Sequence, residues 1–141
     1  MERWILYSII SMLFAGLTSV IAKFGMQDLS SDTALAIRTS VVFTIVLLNA
    51  FILKNAYHEL QHAPGKNLLF LTVSGITTSL SWIFYYRAMK EGQVSYVASI
   101  DKASIVVTLL LSFLLLKEPA TPKVLFGAGF ILTGMVILVW K

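Results

Sequence analysis

Apolar sequence is almost continuous along this chain of 141 residues. It forms five stretches of about twenty residues, and a helix of that length crosses a hydrocarbon core of about 30 Å. The stretches are Trp4–Phe24, Thr33–Leu53, Leu68–Ala88, Val94–Leu116 and Val124–Trp140, the last extended by a start at Pro122. Inside lipid the backbone must satisfy its own hydrogen bonds, and no strand-type alternation is visible. The sequence therefore predicts an all-α integral membrane protein with five transmembrane helices (spans one to five).

Composition agrees with a membrane location and excludes other classes. Hydrophobic residues make up 57% of the chain and charged residues 13%, with a mean hydropathy of +0.83. The net charge of +4 is scattered over helix ends, so no nucleic-acid partner is expected. The chain has no cysteine, HExxH motif or phosphate-binding glycine loop, and no Ser-His-Asp arrangement at membrane depth. We therefore expect neither an enzyme nor a bound cofactor.

The links between spans are short and carry helix-boundary signals. Ser31 or Asp32 is a good N-cap for span two, and Thr121 is one for span five with Pro122 at the first helical position. The longest link, 54–67, contains a Pro-Gly pair and is expected to be a surface loop. No extramembrane domain fits in these links, so residues 1–141 are expected to form a single domain.

Basic residues are equally divided between the two sides of the predicted bundle. Five spans place the termini on opposite sides, and each side carries five Lys or Arg when Lys102 is counted as intramembrane. The positive-inside rule therefore gives no orientation. Either the balance is an accident, or the chain inserts in both directions and pairs with an inverted copy of itself.

Four charged residues fall inside or at the edge of the spans. Asp101 lies seven residues into span four and Lys102 follows it, while Arg38 lies five residues into span two and Lys23 ends span one. Counting along the helices places them at similar depth, where charges normally face a bundle interior or a wet cavity. One interpretation is a structural ion pair of Asp101 with Arg38 or Lys23. The other is a site for an anionic or zwitterionic substrate, with proton or ion coupling through Asp101 as a hypothesis.

Aromatic residues near the end of span three lie on the same side as these charges. Tyr85 and Tyr86 stand beside Arg87, a pattern typical of an interfacial aromatic belt. Trp82 lies one turn deeper in the membrane and could line a pocket for a flat or apolar solute. Trp82 and, despite the belt interpretation, Tyr86 are included among the candidate site residues.

Several polar landmarks follow the pattern of a known family. They are Trp82–Gly92 (WIFYYRAMKEG), Ala98–Ser104 (ASIDKAS), Leu116–Glu118 (LKE), Gly127–Gly134 (GAGFILTG) and the basic Lys23. With these landmarks the chain resembles the EamA-type family of the drug/metabolite transporter superfamily. Most members of that family carry two inverted repeats, whereas this chain has the length of one. It therefore resembles the short, five-helix, single-repeat branch.

The resemblance implies a secondary-active transporter that moves a small metabolite or drug-like solute by alternating access. With one repeat in each chain, it implies a homodimer, inverted or parallel, in the lipid of a bacterial or archaeal cytoplasmic (inner) membrane. The candidate substrate-binding or coupling residues are Asp101, Lys102, Arg38, Lys23, Trp82 and Tyr86. The alternative function is a non-transporting subunit or assembly partner that uses the same charged face to hold another membrane protein.

Overall fold

The chain is helical almost throughout. A computed structural model describes residues 2–53 and 56–140, and no strand is present among them. The helices are α1 (Arg3–Gly25), α2 (Ser31–Leu48), α3 (Ala56–Gln61), α4 (Gly65–Glu91), α5 (Val94–Lys102), α6 (Ser104–Leu111) and α7 (Pro122–Val139). Short π-helical segments, Asn49–Leu53 and Ser112–Leu116, continue α2 and α6.

Five helical segments in the described residues are long and apolar enough to cross a membrane. They are Arg3–Gly25, Ser31–Ile52, Gly65–Glu91, Val94–Leu116 and Pro122–Val139. Each agrees with a predicted span to within three residues at either end. The predicted fold class, an all-α membrane protein with five spans, is confirmed.

The predicted surface loop at 54–67 is partly helical, which corrects the sequence interpretation. Ala56–Gln61 forms α3, and α4 begins at Gly65, three residues before the predicted start of span three. No glycine or proline interrupts the chain between Ala56 and Gln61, so a helical turn persists until Pro64 ends it. Lys54 and Asn55 lie outside the described residues.

One predicted helix cap is wrong and another is confirmed. Ser30, rather than Ser31 or Asp32, is the N-cap of α2, because its Oγ accepts a hydrogen bond from the Thr33 amide at 3.1 Å. Ser30 has the extended backbone that is typical of an N-cap, and Ser31 is already the first residue of the helix. At α7 the Thr121 hydroxyl accepts from the Val124 amide at 3.4 Å, as predicted.

The chain divides into two compact units, and the first ends at Glu91. Within it α2 packs along α4, and polar side chains connect α1 to α4. Three large side chains are buried in this unit, those of Met26, Tyr86 and Met89, at 1%, 3% and 0% exposure. They mark a small core where α1 and α4 end. Most other large apolar side chains of these helices are exposed, as expected for surfaces that meet lipid or another helix.

The second unit begins at Gly92 and contains span four and span five. In it α5 and α6 both contact α7. Span four is interrupted by a turn at Ala103, between α5 and α6. It ends at Lys117, whose φ of 56° is left-handed, and the following Glu118 carboxylate accepts a hydrogen bond from the Ser112 hydroxyl. Glu118 therefore closes the end of span four.

Candidate functional site

Arg38 of α2 lies against two aromatic rings of α4. Its guanidinium carbon is 4.5 Å from the centroid of the Trp82 ring and 5.8 Å from that of Tyr86. Trp82 and Tyr86 are four residues apart, so they lie on the same face of α4, and the close packing of α2 on α4 brings Arg38 to that face. Cation–π attraction of this kind is worth about 2 kcal/mol or more when the charge is desolvated. The structure thus brings together three predicted site residues, which we call the arginine–aromatic cluster.

Two polar atoms of this cluster are buried and have no hydrogen-bond partner among the described residues. They are Nη1 of Arg38 and the hydroxyl oxygen of Tyr86. Native proteins satisfy about nine in ten of their buried polar groups, so an exception requires an explanation. A guanidinium offers only donors, and a phenol can donate or accept. The cluster therefore has hydrogen-bonding capacity that the first unit does not use.

Both residues line a groove of about 310 Å³ between α1, α2 and α4. Its other lining residues are almost all small or aliphatic: Thr18, Ile21, Ala22, Gly25, Leu29, Ala34 and Ile37. A second groove of about 410 Å³ lies where Trp82 and Ser79 of α4 face α2. Volumes of 300–1,000 Å³ are typical of small-molecule sites. The groove at Arg38 combines an apolar wall with a positive charge.

Asp32 and Arg87 form an ion pair that the sequence interpretation did not identify. Nε and Nη2 of Arg87 donate to the two carboxylate oxygens of Asp32 at 3.3 and 3.4 Å. Both side chains are more than half exposed. The pair joins the start of α2 to the end of α4, and it engages the one carboxylate that α2 carries. Counting along spans two and three could have found the pair, because both residues lie at the same end of the bundle.

Lys23 and Lys90 hold the ends of α1 and α4 together by a reciprocal contact. The Lys23 ammonium donates to the carbonyl oxygens of Met89 and Lys90 at 2.5 and 3.4 Å. The Lys90 ammonium donates to those of Met26 and Gln27 at 2.5 and 3.0 Å. Each lysine thus caps the carbonyl end of the opposite helix, where the helix dipole favours a cation. We call this arrangement the lysine clasp, and it gives the predicted site residue Lys23 a structural contact.

The two adjacent tyrosines of α4 differ in their surroundings. The Tyr85 hydroxyl is 2.9 Å from the Ser19 hydroxyl of α1, so this residue connects two helices. Tyr86 is 3% exposed, so the interpretation of Tyr86 as part of an interfacial belt is wrong. The reason is that Tyr86 lies at the level of the small core, where α1 and α2 cover it.

Asp101 and Lys102 lie at the end of α5 in the second unit. The Lys102 ammonium is 3.4 Å from a carboxylate oxygen of Asp101, and the two side chains are 67% and 36% exposed, respectively. The turn at Ala103 follows immediately, so this pair stands at the interruption of span four. Irregular backbone at membrane depth is tolerated where protein or a water-filled cavity surrounds it. The roles predicted for Asp101 and Lys102 remain predictions.

Among the described residues, five helices long and apolar enough to cross a membrane, with an arginine beside an apolar groove, define an integral membrane protein with a groove of small-molecule size. A family model described as the EamA-like transporter family matches residues 2–140. The chain is also 36% identical to an uncharacterized transporter in the cobO 3' region of Sinorhizobium sp. over 137 residues. That alignment covers 97% of this chain and 96% of the relative, so the two chains are of similar length. No solved structure matches the chain.

The chain therefore belongs to the EamA-like transporter family, as its sequence landmarks predicted. Membership makes it a membrane transporter of the drug/metabolite superfamily. The match to a bacterial relative also supports the expected location in an inner membrane.

Proposed function

We propose that this protein is a secondary-active transporter that moves a small solute by alternating access, with the solute bound in the groove beside Arg38. The observation that carries the proposal is the arginine–aromatic cluster with its unused hydrogen-bonding atoms. A charge within a membrane span costs a few kcal/mol even on lenient insertion scales, and such residues commonly mark substrate pathways. Helix packing alone does not explain a buried Nη1 without a hydrogen-bond partner, whereas a bound solute would supply one.

We further propose that the working unit is a homodimer. Secondary transporters place their substrate near the membrane midplane between two repeats, and rocking of one repeat against the other exposes it to each side in turn. This chain and its Sinorhizobium relative are each the size of one repeat, so a partner chain would supply the second. The equal division of basic residues supports an inverted partner.

Reconstitution tests transport directly. The purified protein would be placed in proteoliposomes that contain a pH-sensitive dye, and a panel of small organic anions, cations and neutral solutes would be added under a proton gradient. We expect solute-dependent proton movement for at least one class, and its loss in Arg38→Gln. Arg3→Gln is the matched control, because Arg3 begins α1 far along the chain from the groove. Equal activity of both variants would refute the site.

Topology tests the form of the dimer. Reporters that distinguish cytoplasmic from external location would be fused to each terminus in turn. Signal from both sides for one terminus would establish dual insertion and support the inverted homodimer. A single fixed orientation would exclude that dimer.

A further inference from the structure

We propose that the solute is a small organic anion with an apolar body, whose acidic headgroup binds to Nη1 of Arg38 and the Tyr86 hydroxyl. Its apolar part would then lie along the groove between α1 and α2. This inference rests on the proposed function, because it names the chemical class that the transport site accepts.

The hydrogen-bonding atoms of the cluster determine the headgroup. The aromatic rings cover the guanidinium of Arg38, while Nη1 remains buried and without a partner in the described part of the chain. A guanidinium cannot accept a hydrogen bond, so its partner must be an acceptor, and its planar fork matches a carboxylate or phosphate best. The hydroxyl of Tyr86, also without a partner among these residues, can donate to the same headgroup. An ammonium has no lone pair to accept a hydrogen bond from Nη1, so a cationic headgroup cannot satisfy both atoms.

The groove at Arg38 has no acid among the residues that line it, and most of those residues are aliphatic. The carboxylate of Asp32, on the same helix as Arg38, is already bound to Arg87. Arg38 therefore keeps a positive charge that no carboxylate of α2 balances, and a ligand anion would balance it. The aliphatic wall favours an apolar body over a strongly hydrated ion such as inorganic phosphate.

Trp82 provides a direct measurement of binding, because it lies 4.5 Å from the Arg38 guanidinium. The chain has three tryptophans, so Trp4→Phe and Trp140→Phe leave Trp82 as the single emitter. This protein, in nanodiscs of zwitterionic phosphatidylcholine, would be titrated with hexanoate, hexanamide and hexylammonium. The three probes share a linear six-carbon skeleton and differ in headgroup charge. We expect hexanoate to bind at least about tenfold more tightly than the other two, as one charge-assisted hydrogen bond predicts.

Variants in the same background test the two binding atoms. Arg38→Gln should reduce hexanoate affinity to that of hexanamide, and Tyr86→Phe should reduce it about fivefold. Tyr85→Phe is the matched control, since it removes a hydroxyl that is bound to Ser19. The affinity of this variant for hexanoate should stay within about twofold of that of the parent protein. If Arg38→Gln fails to fold, two measurements still test the anion site. They are the comparison of Tyr86→Phe with Tyr85→Phe and the preference among the three probes when the cluster is unmodified.

Three outcomes would overturn the proposal: equal binding of the three probes, preference for hexylammonium, or loss of affinity in Tyr85→Phe but not in Tyr86→Phe. A lipid phosphate has the same headgroup chemistry, so the titration would be repeated with phosphatidylglycerol in the nanodisc. An Arg38-dependent response to that lipid, with none to hexanoate, would assign the cluster to a lipid headgroup. Binding is measured without a gradient, so its failure is distinct from a failure of transport. Hexanoate binding without any transport would refute the proposed function and leave the ligand class intact.

Discussion

The lysine clasp gives a quantitative prediction about how the ends of α1 and α4 are held together. Lys23→Met and Lys90→Met each remove one ammonium that bonds two carbonyl oxygens of the opposite helix. A charged hydrogen bond contributes about 1.5–3 kcal/mol net, and these contacts are only partly buried, so each variant should lose about 2 kcal/mol of unfolding free energy. The methionine side chain keeps most of the apolar stem, so the change isolates the charge.

The double variant carries the more specific expectation. Both contacts join the same two helix ends, so the loss of one loosens the ends and weakens the other. The double variant should therefore lose about 3 kcal/mol, which is about 1 kcal/mol less than the sum of the single losses. Two independent surface contacts would instead give additive losses.

Reversible unfolding in mixed micelles of dodecyl maltoside and sodium dodecyl sulfate measures these energies, with helical circular dichroism as the signal. Lys66→Met is the matched control, because Lys66 lies at the other end of α4, where its ammonium is 5.9 Å from the Phe70 ring. Lys66→Met should lose less than about 1 kcal/mol of unfolding free energy. The reasoning is refuted if Lys23→Met and Lys90→Met are no more destabilising than Lys66→Met. Loss of hexanoate binding in Lys23→Met with unchanged stability would instead return Lys23 to the solute site.

Three further predictions use the same unfolding measurement. Ser30→Ala should lose about 1 kcal/mol of unfolding free energy because it removes the N-cap hydrogen bond of α2, whereas Ser31→Ala should be nearly neutral. A larger loss in Ser31→Ala than in Ser30→Ala would instead favour Ser31 as the cap. A double-mutant cycle of Asp32→Asn and Arg87→Gln should give a coupling below about 1 kcal/mol, since both side chains are exposed, and a larger coupling would place the pair in a drier environment. Tyr85→Phe should lose about 0.6 kcal/mol, the average for a hydrogen bond between membrane helices, and an unchanged stability would contradict the contact with α1.

The membrane class and the five spans could be predicted because length and hydropathy act within a single segment. The apolar stretch from Val94 to Leu116 is long enough to cross the bilayer whatever surrounds it, and Thr121-Pro122 indicates a helix start by local chemistry alone. Ser30 was missed because three adjacent residues, Ser30, Ser31 and Asp32, are all good caps. The extended backbone of Ser30 and the hydrogen bond that its hydroxyl accepts from the Thr33 amide distinguish it from the other two.

The partners of polar residues were harder to predict because they depend on which helix lies opposite. Counting placed Arg38 and Lys23 at similar depth and suggested that they share a site. The structure directs Arg38 to the rings of α4 and Lys23 to the carbonyl end of the same helix. Depth is a coordinate along the membrane normal, and it says nothing about the direction in which a side chain leaves its helix. Two residues at one depth can therefore have unrelated roles.

Adjacent positions on α4 show how direction separates ligand contacts from structural contacts. Successive residues of a helix point about 100° apart, whereas residues four apart share a face. Trp82 and Tyr86 form one row, which faces Arg38, while Tyr85 belongs to the next row, and its hydroxyl contacts Ser19 of α1. Residue type alone assigns Tyr85 and Tyr86 to the same aromatic belt, but their positions on the helix give them different contacts. Substitutions in the first row should therefore change anion binding, and substitutions in the second should change the stability of the bundle.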